Sequence, residues 1–184
     1  MAHAIRKAYS PSDIHTTKEA GVLITLFESA PGSFSIILIR RGSGHEADKH
    51  AGQIGFPGGK KEDGDRDMMY TALREAEEEI ALDLSAIDIL GALSPIYIPV
   101  SKFLVHPYVS FAWQPPLLSR QESEIEEILL LPLSEFRSGN ARQTTRINIS
   151  PGITLNHVPC FLVMGHVIWG ATAMILNELF ELMK

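Results

Sequence analysis

The chain has 184 residues, 45% of them apolar, and a formal net charge of −6. That length suits a single domain spanning 1–184 with a sizeable core, and the acidic balance excludes general nucleic-acid binding, which requires a basic surface. The lone cysteine, Cys160, excludes an intrachain disulfide, no apolar stretch suits a membrane span, and Met1 to Tyr9 show no signal peptide, so a soluble cytoplasmic protein is expected.

Ala20 to Phe27 and Phe34 to Arg40 read as two strands joined by the turn Ser29-Ala30-Pro31-Gly32-Ser33. Residues 41–52, rich in Gly, His and charge, read as a loop leading to the short apolar piece Ile54-Gly55-Phe56-Pro57. A helix is predicted from Asp67 to Ile80, with Met69, Leu73 beside Ala72, Ala76 and Ile80 forming its apolar stripe. Ile87 to Leu93 and Phe103 to Trp113 are expected strands, with Pro95, Pro99 and Pro107 confining them to edges or bends. Glu124 to Leu131 is a further strand, followed by a short helix capped by Ser134. Residues 137–150 are polar and predict no regular element, and Ile153 to Val163 suggests a hairpin or strand pair. Ala171 to Met183 carries Met174, Ile175, Leu179 and Leu182 on one face of an amphipathic closing helix. The mixture predicts an α/β or α+β domain, a mixed sheet sandwiched between helices.

The second half of the first helix breaks two local rules. Glu75, Glu77, Glu78 and Glu79 crowd its end, and Glu75, Glu78 and Glu79 stand at i, i+3 and i+4, on one face. Like charges at that spacing cost a few tenths of a kcal/mol per pair, and acids near a helix C-terminus oppose the macrodipole. An exposed acidic face is the bland explanation. Its neighbours argue for chemistry instead: Gly58 and Gly59 permit close backbone approach to a phosphate or metal, and Arg74 can hold a carboxylate in a bidentate pair. Carboxylate oxygens are what Mg²⁺ and Mn²⁺ prefer, so Glu75, Glu78 and Glu79 are the candidate metal ligands.

These residues resemble the Nudix box, at about 59–82: Gly59, then Asp65 after five residues, Arg74-Glu75, Glu78-Glu79 and a closing Leu82. The spacing from Asp65 to Arg74 is one residue longer than usual, and Asp65 replaces the commoner glutamate. Both features are similar to the coenzyme A pyrophosphatase branch of that family, while Ala81 stands where a glycine is usual. The segment His50 to Gly59, with Gly52-Gln53 and Phe56-Pro57-Gly58-Gly59, resembles the upstream signature of the same branch, as do Val105 to Val109 and Ile168 to Ala173. Ala47-Asp48 stands where that branch carries an aliphatic-basic pair. Arg40 and Arg41 are therefore the candidate cations for substrate phosphate, with His50, Gly58 and Gly59 as further substrate contacts.

The resemblance implies metal-dependent hydrolysis, with Mg²⁺ or Mn²⁺, of the pyrophosphate in coenzyme A or its thioesters. Glu78 and Arg74 belong to the implied catalytic set, joined by an acid from a later segment, Glu127 or Glu124, with Glu127 favoured for its place before Ile128 to Leu131. A Nudix enzyme acting on ADP-ribose, a dinucleotide polyphosphate or a nucleoside triphosphate is the alternative, and a non-catalytic Nudix-like binding module the remote one. The expected partner is a small nucleotide-like molecule, not nucleic acid or membrane; monomer and homodimer both stay open.

Overall fold

The computed structural model describes residues 17–42, 52–150 and 153–184. The chain runs β1 (Lys18–Ala30), β2 (Ser33–Arg41), β3 (Ile54–Gly55), β4 (Gly58–Lys60), α1 (Met68–Ile80), β5 (Ile87–Ala92), β6 (Ile96–Ile98), β7 (Phe103–Ala112), β8 (Ile125–Pro132), α2 (Leu133–Arg137), β9 (Arg142–Ser150), β10 (Ile153–Val163), β11 (His166–Trp169) and α3 (Gly170–Leu182). Eight strands form one mixed sheet in the order β3-β2-β1-β7-β5, with β4 on β1, β6 on β7 and β8 on β2; β9, β10 and β11 form a second, three-stranded sheet. The β1–β7 pair is parallel and its neighbours are antiparallel. This is the mixed sheet between helices that the alternation of elements predicts.

β1 and β2 are buried on both faces, which explains why they read as nearly continuous apolar runs. Their alternate residues feed two cores. Leu23, Phe27, Ile37 and Ile39 point to α1 and meet Ala72, Ala76, Ile80 and Leu82. Ile24, Leu26, Ile36 and Leu38 point the other way, to Phe161, Ile168, Ile175, Leu176 and Leu179 of the second sheet and α3. Because successive strand side chains alternate faces, every residue of β2 is assigned to one layer or the other.

Helix α1 lies very close to β1. A Cβ on Gly21 would collide with the carbonyl oxygen of Met68 and stand 2.8 Å from the amide nitrogen of Ala72. The missing side chain thus sets the helix-to-sheet distance. At its start Asp67 accepts a hydrogen bond from the Tyr70 N–H at 2.7 Å, an N-cap. At its end Ala81 itself takes the left-handed conformation usual for glycine (φ 52°), and its N–H bonds back to Ala76 and Glu77 carbonyls.

Four expectations are corrected. Pro107 lies inside β7, flanked by β1 on one side and by β5 and β6 on the other, not on an edge. Its carbonyl accepts from the Leu93 N–H, so its own nitrogen faces the same side, at the gap between β6 and β5 where no ladder bond is lost. Pro132, not Ser134, occupies the N-cap of α2, and no side chain caps it. Residues 142–150 form strand β9, and the segment 153–163 is one strand between β9 and β11, not a hairpin by itself. A polar strand such as Arg142–Ser150 lacks the alternation that reveals strands because its partner β10, not a buried face, holds it. Among the described residues no helix is long and apolar enough to cross a membrane.

Replacing Gly21 by alanine should lower stability by about 1–3 kcal/mol, the usual range for overpacking a tight site, because its neighbours are backbone atoms that cannot rotate away. The urea unfolding midpoint measures this; an unchanged midpoint would show that α1 can move outward freely.

Candidate active site

The helix that docks on Gly21 carries the acidic cluster, and its rotation decides what each glutamate does. Ala72, Ala76, Glu79 and Ile80 share the core-facing stripe, so Glu79 takes a position an apolar residue would ordinarily fill and is only 1% exposed. Glu75 is partly buried, Glu78 is 54% exposed at its side chain, and Glu77 points to solvent. The three candidate carboxylates therefore run along one flank of α1 from solvent to core.

Backbone from β4 meets them. The Gly58 N–H donates to Glu79 Oε2 at 2.8 Å. Gly58 has φ +149°, and a Cβ there would strike Gly21 and Val22 of β1. A Cβ on Gly59 would fall on the carboxyl group of Glu75. The glycine pair thus forms a cradle into which two glutamates press.

Arg74 brackets the rest. It forks onto Asp65, Nε to Oδ1 at 3.0 Å and Nη2 to Oδ2 at 3.1 Å, and reaches Glu75 Oε1 and Glu78 Oε2, each at 2.9 Å. Asp65 is buried and also accepts from the Glu62 N–H and the Thr71 hydroxyl, each at 2.9 Å. The hydrogen bond from Arg74 holds the Asp65 carboxyl well below the usual carboxylate range despite its burial, and the same bond raises Arg74. Asp65 is a positioning residue that the sequence reading counted as part of the box without giving it a role. The acid six residues after Gly59 and nine before Arg74 was its only signal.

Glu79 is the outlier. Burial pushes its carboxyl up to about 7, only partly countered by the Arg41 charge and the Gly58 N–H. Burial likewise raises Glu75, outweighing Arg74 beside it. Oε1 of Glu79 is buried and has no hydrogen-bond partner. The nearest cation, Arg41 Nη2, stands 3.5 Å away, too long for a good charge-assisted bond. Among the described residues no three acidic, His or Cys side chains converge as a ready cage, because Arg74 engages Glu75 and Glu78. An orphaned buried carboxylate oxygen on the same helix flank as Glu75 and Glu78 nevertheless fits a hard divalent cation in its donor chemistry.

Strand parity separates the two candidate arginines. Arg41 follows Ile37 and Ile39 toward α1, and besides Glu79 it donates to the Gly58 carbonyl at 3.4 Å. Arg40 follows Ile36 and Leu38 to the opposite layer, where it meets Glu127 Oε2 at 3.2 Å and His166 Nδ1 at 2.9 Å. A guanidinium only donates, so Nδ1 of His166 must be the acceptor and Nε2 carries the proton. Glu127, 48% exposed, is therefore not brought to the cluster: it pairs across the strands with Arg40, on the face away from α1. The backbone of Glu124 stands beside Arg41, its carbonyl accepting from the Gly42 N–H at 2.7 Å. Glu127, the acid that the sequence favours, is thus engaged by Arg40, and the irregularity between Arg40 and Arg41 sets Ile125 opposite Arg41. His50 lies outside the described residues.

A cavity of about 590 Å³ lies elsewhere: Phe136, Arg137, Arg142, Phe180 and Lys184 line it, and it contains none of these carboxylates. We place the chemistry at the acidic cluster, where the buried unpaired oxygen is.

A family model, the NUDIX domain, matches residues 17–149, which include this whole constellation. The chain belongs to the Nudix family. Its members are pyrophosphohydrolases that typically use a divalent metal and bind nucleotide-like substrates. The chain is 35% identical over 163 residues to Nudix hydrolase 22, chloroplastic, of Arabidopsis thaliana, covering 86% of this chain and 53% of that one. It is 32% identical over 170 residues to the Nudix hydrolase NudL of Pectobacterium atrosepticum, covering 90% of this chain and 83% of that one. It thus spans about half the length of the plant relative and most of the bacterial one. The Nudix fold is also seen in a MutT/nudix family protein from Enterococcus faecalis, with a TM-score of 0.56 at 13% identity over 95% of this chain and 63% of that one. A C. elegans Ap4A hydrolase binary complex gives a TM-score of 0.51 at 16% identity over 60% of this chain and 77% of that one.

The Asp65–Arg74 fork has a pH signature. A carboxyl lowered by folding adds stability that is present above its unfolded value, about 3.9, and is lost as pH falls through the lower folded value. The difference in Tm between wild type and Asp65→Asn should therefore be constant from about pH 7 to 5 and shrink below about pH 4. Thermal melts across that range check it; a gap that closes already above pH 5 would contradict the fork.

Proposed function

We propose that this protein is a divalent-metal-dependent pyrophosphohydrolase that cleaves coenzyme A or its thioesters into 3′,5′-ADP and 4′-phosphopantetheine derivatives. The observation that carries the reaction is the buried Oε1 of Glu79, without a hydrogen bond, on the helix flank that also carries Glu75 and Glu78. Glu75, Glu78 and Glu79 would hold the cation, Mg²⁺ or Mn²⁺. Bound there, such an ion neutralises phosphate oxygens and lowers the pKa of an attacking water. Arg74 fixes the orientation of Glu75 and Glu78, and the glycine pair gives Glu75 and Glu79 room to press against β4. Glu78, the most exposed of the three, and Glu124 are the acids available to take a proton from water.

The substrate assignment rests on separate ground. The segment His50 to Gly59, the longer spacing to Arg74, and Ile168 to Ala173 resemble the coenzyme A branch. Two of these segments, more than a hundred residues apart, touch: the Thr172 hydroxyl donates to the Ile54 carbonyl at 3.0 Å. Their adjacency supports a shared role at the substrate side of β3. Arg40, on that face of the sheet, is the cation we assign to the 3′-phosphate, and Arg41, beside the carboxylates, the one for the diphosphate.

Two experiments test the reading. With Mg²⁺ or Mn²⁺ saturating, Glu79→Gln should lower kcat by about 10²–10³ while Glu77→Gln leaves it within about twofold, because only Glu79 faces the site. Equal effects in steady-state assays would refute the assignment of faces. Coenzyme A should be hydrolysed with a kcat/KM at least about tenfold above dephospho-coenzyme A and ADP-ribose, a gap of roughly 1.4 kcal/mol. Arg40→Ala should narrow that gap by weakening the coenzyme A reaction alone, and Arg41→Ala should slow all three. If ADP-ribose or a dinucleotide polyphosphate proves the better substrate, the pyrophosphohydrolase stands and the branch does not.

A further inference from the structure

The position of Arg41 is odd for a structural ion pair. It points at the most buried carboxylate among the described residues, yet its contacts are loose: 3.5 Å to Glu79 Oε1 and 3.4 Å to the Gly58 carbonyl. Arg74, a few ångströms along the same helix, makes four contacts to carboxylates between 2.9 and 3.1 Å. Oε1 therefore keeps an unused lone-pair site facing a guanidinium that does not close on it. The side chain of Arg41 is 35% exposed and leaves from the last residue of β2, so a route into solvent is open to it.

A fully buried carboxylate left without any positive neighbour is unfavourable by several kcal/mol. A guanidinium and a divalent cation that both serve the same oxygen also repel one another, so they cannot both sit there at full strength. From the loose geometry, the open exit and the shared oxygen, we propose that Arg41 is a place-holder: it neutralises Glu79 in the metal-free protein and yields that oxygen when a divalent cation binds. Once displaced, the guanidinium stands beside the carboxylates with its donors free, where the diphosphate of a substrate brings new negative charge. Arg41 is thereby a positioning residue that couples cation binding to substrate binding. The inference rests on the reading of Glu75, Glu78 and Glu79 as the cation site.

The test measures Mn²⁺ binding to the full chain without substrate, by electron paramagnetic resonance. Arg41→Gln should bind Mn²⁺ about fivefold tighter or more than wild type, the lower end of ordinary coupling between sites. Arg41→Lys, which keeps the charge, should stay near wild type. Arg40→Gln removes the same charge from the opposite face of the sheet and should leave the affinity unchanged. Arg41→Gln should also raise KM for the diphosphate substrate, so that tighter metal goes with weaker substrate. Mn²⁺ bound no tighter by Arg41→Gln, or tightened equally by Arg40→Gln, would overturn the role of Arg41 alone. Wild type that binds no Mn²⁺ would overturn the cation site and this inference together.

Discussion

The close approach of α1 to the sheet is the constraint on which the rest depends. Three positions without a Cβ make it possible. Gly21 lets the backbone of Met68 to Ala72 settle on β1, Gly58 lets β4 cross the same strand, and Gly59 leaves room for the carboxyl of Glu75. At Gly21 and Gly58 the nearest contacts are backbone atoms of α1 and β1, which cannot rotate away from an added methyl, whereas at Gly59 the methyl would displace the carboxyl group of Glu75. A helix packed at an ordinary distance would leave Glu79 short of the Gly58 amide, and its carboxylate would be buried with neither oxygen satisfied.

That proximity creates an electrostatic problem which two arginines divide between them. Arg74 is the permanent partner: locked by Asp65, it holds Glu75 and Glu78 at short distance and stays partly buried. Arg41 is the provisional one, loose and half open to solvent. The acids that break helix rules in isolation are thus tolerated at different strengths. Asp65 is held ionised, whereas Glu79 is raised by burial to the neutral range, where a cation decides its charge. Departures from local preference at a functional site, compensated by neighbours, follow the general pattern.

The pleat of β2 organises the substrate side. Adjacent residues Arg40 and Arg41 are sent to opposite layers, one to His166 and Glu127, the other to α1. The three-stranded sheet and α3 cover the Arg40 face, and Thr172 ties α3 to β3. Two neighbouring charges in the chain therefore serve two distinct environments on either side of a sheet only one strand thick.

The local chemistry is legible in the residues alone. The helix from Asp67, its i, i+3, i+4 acids, the glycine pair and the strand runs of β1, β2, β7 and β8 are all short-range patterns, readable because period and composition express them. Relations between distant segments emerge only when the chain is folded. The burial of Glu79 depends on where β4 lands; the roles of Arg40 and Arg41 depend on which layer covers each face of β2. Glu127 is drawn to Arg40 on the face away from α1, and an irregular register beside Arg41 sets Ile125 opposite that arginine. The strand at 142–150 forms because β10 offers it a hydrogen-bonding edge, a partner its polar residues do not announce. Pro107 could sit inside a sheet because two short strands leave a gap where its missing N–H falls. In each case the deciding energy is a long-range contact or a desolvation, and neither is written in the residues nearby.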